Sequence, residues 1–93
     1  MTGLEGDVHI AGVLVQCRPL QLLQVQRAVA AIEGADVDRT GADGKLVVVI
    51  EAASSRAVLD AVDGMRALPG VLDVALVYQH AEPAAAMNQE MEP

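Results

Sequence analysis

Apolar and polar positions along this chain fall into two successive copies of one pattern, offset by 36 residues. Residues 10–17 (IAGVLVQC) recur as residues 46–53 (LVVVIEAA). Leu22, Val29, Ile32 and Gly34 recur as Val58, Met65, Leu68 and Gly70. Each copy reads as an apolar strand, a helix with one apolar stripe, a glycine stop and a second strand. A repeat of this length is a supersecondary unit that buries little by itself and needs its partner.

The element boundaries follow from local chemistry. Residues 8–16 form a first strand rich in Val, Ile and Leu. Pro19 suits the first turn of a helix, where its missing N–H has no intrahelical duty. Leu22, Val25, Val29 and Ile32 then mark one helical face, and Gly34 stops the helix. Residues 35–40 read as a short edge strand, and Gly41, Ala42, Asp43 and Gly44 as a tight hairpin loop. Residues 45–51 are a near-continuous β-branched run, typical of a central strand. Ser54 or Ser55 caps a second helix with the stripe Val58, Val62, Met65 and Leu68, which ends at Pro69 and Gly70. Residues 71–79 are the last strand.

The order βαββαβ, with right-handed crossovers, places both helices on one side of a four-stranded antiparallel sheet. This predicts a ferredoxin-like α+β fold in which the first strand of each repeat is central. The domain is expected over residues 8–80, with flexible tails at 1–7 and 81–93.

One sheet face is then left without a helix. Strand alternation assigns the side chains to faces. In the last strand the bulkier set, Leu72, Val74, Leu76 and Tyr78, is expected against the helices, with Val71, Asp73, Ala75, Val77 and Gln79 on the open face. Lys45 and Glu51 share parity with Val47 and Val49, which sends that set outward and Leu46, Val48 and Ile50 inward. Carrying this through the repeat places Ala11, Val13 and Val15 outward, and Ile10, Gly12 and Leu14 inward. Asp36, Asp38 and Thr40 are expected outward on the second strand. The open face is thus an aliphatic centre rimmed by Asp36, Asp38, Glu51 and Asp73. Such a patch marks an interaction surface, either for a partner chain or for a homodimer seam.

Composition narrows the function classes. The net charge of −7 argues against nucleic acid, which requires Lys and Arg on its phosphates. Tyr78 is the only aromatic residue, so the stacking platforms of RNA-binding sheets are missing. No apolar run approaches the roughly 20 residues of a membrane span. No basic leader region precedes Arg18, and a single cysteine fits a reducing compartment, so a cytoplasmic location is expected. Cys17 has no CxxC partner, and His9 and His80 stand at opposite ends of the domain in sequence, which gives no metal or cofactor site. Arg18 holds the place at which acylphosphatases of this fold bind phosphate. Those enzymes also need an Asn on the sheet, and the only Asn is Asn88. No catalytic constellation is present in the sequence.

Residues 8–16 (VHIAGVLVQ), 44–51 (GKLVVVIE) and 68–78 (LPGVLDVALVY), in this order and with this helix spacing, resemble the NapD family. The resemblance covers residues 8–80. It implies a non-enzymatic cytoplasmic chaperone that binds the twin-arginine signal peptide of the periplasmic nitrate reductase catalytic subunit and delays export until its molybdenum cofactor is inserted. The seat expected for the peptide is the open face, with Val13, Val15, Asp36, Asp38, Val47, Val49, Glu51, Asp73, Ala75 and Val77. The partner expected is that peptide, without nucleic acid, and the chain itself is expected as a monomer or weak homodimer. The alternative is a regulatory domain that dimerises through its sheet and binds a small metabolite at the seam.

Overall fold

The two β-branched runs become the central pair of a four-stranded antiparallel sheet in the computed structural model, which describes residues 6–83. In chain order the elements are β1 (Asp7–Cys17), a 3-10 turn (Pro19–Gln21), α1 (Leu22–Ala30), β2 (Ala35–Thr40), β3 (Lys45–Ala52), α2 (Ser55–Arg66) and β4 (Val71–Pro83). The strand order is β2-β3-β1-β4, the ferredoxin-like arrangement that the repeat predicts. Pro19 opens a 3-10 turn ahead of α1 rather than the α-helix itself. The cap of α2 is Ser54, whose hydroxyl accepts the Ala57 N–H at 3.0 Å. After α1, Gly34 adopts φ +83°, and its carbonyl accepts the Glu51 N–H at 2.9 Å. A side chain at Gly34 would collide with the Glu51 carbonyl, so only glycine permits this latch.

The core lies between the sheet and both helices. Ala11, Val13, Val15 and Cys17 of β1 meet Leu46, Val48 and Ile50 of β3, with Val74 from β4. Val25 and Val29 of α1, and Val58, Ala61, Val62 and Met65 of α2, close over them. No buried polar or charged side chain interrupts this layer among the described residues.

The expected faces of β1 are reversed. Ala11, Val13 and Val15, assigned to the open face, are at most 1% exposed beneath the helices. They pair with Ile50, Val48 and Leu46, and directly opposed residues share a face. Ile10, Gly12 and Leu14 therefore point outward. The reason is a single residue. Val15 to Leu22 spans seven positions, whereas the equivalent Ile50 to Val58 spans eight. The 36-residue offset that relates the helices becomes 35 in the strands, and a one-residue slip exchanges every side chain between faces.

Bulges account for the remaining differences. Val13 pairs with Leu76 but Gly12 with Tyr78, which leaves Val77 as an extra residue; Leu72 is extra in the same way between Val71 and Asp73. Beyond Val77 the parity flips. Tyr78 moves to the open face, and Gln79 moves to the helix side, where its amide donates to the Ser55 hydroxyl at 3.1 Å. Val71, expected outward, pairs with Cys17 on the helix side. In β2 the extra residue is Asp38, so Arg39 takes the open-face place opposite Val47 and Thr40 falls opposite Leu46 on the helix side. Strand β4 also runs on to Pro83, paired with Asp7, so residues 7 and 81–83 are strand rather than tail. The rest of the expected tails, apart from Gly6, lies outside the described residues.

Adjacent substitutions in β1 separate the two faces. Val15→Ser, in the core, is expected to lose about 3 kcal/mol in urea unfolding, from lost burial plus an unpaired hydroxyl. Leu14→Ser, on the open face, is expected to lose about 1 kcal/mol. Equal losses would contradict the observed register.

Candidate functional site

The sheet face opposite the helices is built in rows across the four strands. One row runs Arg39, Val47, Leu14 and Ala75, and the next runs Asp36, Val49, Gly12 and Tyr78. Beyond them, Glu51, Ile10 and His80 align, then Val8 with Glu82; at the opposite end Lys45, Gln16 and Asp73 align. The result is an aliphatic floor of Ile10, Leu14, Val47, Val49 and Ala75 with charged groups at the margins. Of the sequence-predicted residues, Asp36, Val47, Val49, Glu51, Asp73 and Ala75 share this face. Val13 and Val15 lie in the core instead. Asp38 and Val77 sit in bulges on the two edge strands, Val77 with 66% exposure.

Charge on this face is polarised. Four of the six basic residues lie elsewhere: Arg18 before the 3-10 turn, Arg27 on α1, and Arg56 and Arg66 on α2. The two on the open face, Arg39 and Lys45, flank the β2–β3 hairpin and lie within 3.8 and 3.7 Å of Asp38 and Asp43. Both ion pairs are exposed and individually weak. They nevertheless occupy the nearby cations. Among the described residues Asp36, Glu51 and Asp73 have no basic partner. The end of the face around Ile10 and Gly12 therefore presents carboxylates without any Lys or Arg.

Sequence reasoning missed Ile10, Gly12, Leu14, Tyr78, His80 and Glu82 as members of this face. For β1 a signal was present: Gln16 shares parity with Leu14, Gly12 and Ile10, and a polar residue belongs on the wet side. For β4 no turn residue marks the bulge at Val77. The Tyr78 ring occupies the space above Gly12; a methyl there would lie 2.8 Å from Cδ2 and 2.9 Å from Cζ. The His80 ring stacks on Tyr78 with centroids 6.1 Å apart and planes at 19°. The far side of His80 meets Glu82, Nε2 to Oε2 at 3.2 Å.

Among the described residues no group of three or more His, Cys, Asp or Glu side chains is placed to hold a metal ion. No described helix is long and apolar enough to cross a membrane.

Residues 8–83 match the protein family described as NapD protein. Chaperone NapD of Haemophilus influenzae is 31% identical over 77 residues, which cover 82% of this chain and 83% of that protein. Chaperone NapD of Escherichia coli K12 is 30% identical over 75 residues, covering 80% and 86%. A solution structure of the E. coli Tat proofreading chaperone protein NapD aligns with a TM-score of 0.76 at 28% identity, covering 80% of this chain and 79% of that one. The relatives are chaperones by name. The matched span takes in both helices and, apart from Asp7, all four strands.

Cys17 stands apart from the open face. It is fully buried at the end of β1, and burial pushes its thiol pKa up, which holds it in the unreactive protonated form. A thiol reagent such as DTNB at pH 8 is expected to label it only as fast as the protein unfolds. Immediate stoichiometric labelling of the folded protein would contradict this placement.

Proposed function

Because the chain belongs to the NapD family, we propose that it binds the twin-arginine signal peptide of the periplasmic nitrate reductase catalytic subunit. In this reading it acts in the cytoplasm, has no catalysis of its own, and delays export until the cofactor is in place. The seat is the open sheet face.

The observation that carries this reading is the polarised open face: an aliphatic floor with carboxylates and no Lys or Arg at one end. A twin-arginine leader has the complementary order, a basic segment followed by an apolar one. A helix about 10 Å across fits over two to three strands spaced about 4.8 Å apart. Its apolar side would lie on Leu14, Val47, Val49 and Ala75, and its arginines would reach Glu51 and Asp36. Asp73, at the other end beside Lys45 and Gln16, is a lesser contributor. A floor of small aliphatic side chains offers no large aromatic anchor at its centre, which suits a complex that must release its cargo.

Titrating a synthetic leader peptide into isotope-labelled protein tests the assignment. Amide shifts are expected at Ile10, Gly12, Leu14, Val47, Val49 and Tyr78, with α1 and α2 little changed. At low salt, Glu51→Lys or Asp36→Lys should weaken binding about five- to tenfold, and Asp73→Lys less. The differences should shrink at about 0.5 M salt. No binding at high micromolar peptide, shifts confined to the helices, or a constitutive dimer that excludes the peptide would overturn the proposal.

A further inference from the structure

Tyr78 is the only aromatic residue of the chain, and its place on the open face depends on one bulge and one glycine. The extra residue Val77 turns it outward. Gly12 then lets the ring lie across β1, with Cδ2, Cε2 and Cζ where a side chain would otherwise be. Packing over a strand glycine would by itself account for an aromatic here. Yet Tyr78 keeps 48% of its surface exposed, so much of the ring remains open above the glycine. The His80 ring stacks on Tyr78, and Glu82 lies against His80.

None of the chain's own open-face cations is placed to use this surface. Arg39 and Lys45 stand opposite Val47 and Gln16, toward the hairpin end, and lie beside Asp38 and Asp43. A ring lying over β1 is about one strand spacing, roughly 4.8 Å, from β3. On that strand Glu51 occupies the same face, one row beyond Val49.

From this geometry we propose that Tyr78 makes the site selective for arginine over lysine: one leader guanidinium stacks on the exposed part of the ring while Glu51 accepts its charge. This rests on the open face being the leader's seat. A guanidinium is planar, weakly hydrated and able to stack on a ring while donating in its plane to a carboxylate. An ammonium is compact and strongly hydrated, and it loses more on leaving water for the same place. The two cations carry equal charge, so carboxylates alone would separate them poorly. The ring supplies the difference.

The test compares a synthetic leader peptide carrying adjacent arginines before its apolar segment with the same peptide carrying two lysines. Wild-type protein is expected to favour the arginine peptide about three- to tenfold in calorimetric Kd. Tyr78→Phe retains the ring and should keep that ratio. Tyr78→Leu retains apolar bulk without the ring, and its ratio should fall to near one. Gly12→Ala, which displaces the ring without removing it, should lower the ratio too; thermal unfolding identifies any variant that fails to fold. An unchanged ratio in a folded Tyr78→Leu protein overturns the proposal, as does equal binding of both peptides by the wild type, and either result leaves the seat itself intact. If the wild type binds neither peptide, the leader-binding reading falls and this proposal falls with it.

Discussion

The register of β1 against β3 is the constraint from which the rest of the structure follows. These strands are the middle pair, so their pairing decides which residues of each enter the core and which form the open floor. With Val13 opposite Val48 and Val15 opposite Leu46, branched side chains fill the helix side. A shift by one would place Gln16 and Leu14 under the helices and expose Val13 and Val15. Backbone hydrogen bonds to turn glycines tie down the ends of the central strands. The Cys17 N–H donates to the Gly44 carbonyl at 2.8 Å, and the Glu51 N–H donates to the Gly34 carbonyl at 2.9 Å. Gly70 repeats the device after the second helix by accepting the Arg18 N–H at 2.9 Å. Each helix stop thus also latches the end of a central strand.

With the register fixed, the edges and the open face take different roles. Both edge strands carry bulges, at Asp38 in β2 and at Leu72 and Val77 in β4. Bulges break the flat ladder that a foreign strand would need for pairing. Arg66 adds to this by donating to the Val74 carbonyl at 3.1 Å, which covers an acceptor on β4. Strand addition is discouraged at the rims, whereas the floor between them stays apolar and accessible. That contrast favours a partner laid on the face over one added to an edge.

The parts of this structure legible in the sequence are those with a strong period or a turn signal. Val25 and Val29, Val58 and Met65, and the glycines at 34 and 70 placed both helices and their stops. The charged ends of residues 45–51 placed Val47 and Val49 on the open side. For β1 both parities are apolar, so only the repeat assigns its faces, and one additional residue between Ile50 and Val58 is enough to invert them. The bulges left still less trace. Asp38, Leu72 and Val77 are ordinary strand residues, and the extra position appears only when the register is read across to the neighbouring strand. Parity alone therefore places Val13, Val15 and Asp38 in the candidate site and leaves Tyr78 and Gly12 outside it.

The corrected offset also explains where the polarity of the open face comes from. With strands related by 35 residues, Glu51 is the counterpart of Gln16, and Lys45 is the counterpart of Ile10. Two identical copies would give the face the same chemistry at both ends, and a bound chain would have no preferred direction. Here one end carries Lys45 with Gln16, and the other carries Glu51 with Ile10. The Glu51 end presents carboxylates with no Lys or Arg, whereas at the other end Lys45 lies beside Asp43 and in one row with Asp73, and an uneven potential of this kind orients a charged partner as it approaches. Gly12 is the counterpart of Val47, so the aromatic that lies over Gly12 also has no equivalent at the other end. The duplication supplies a symmetric floor. Direction on that floor comes from the few positions at which the two copies differ.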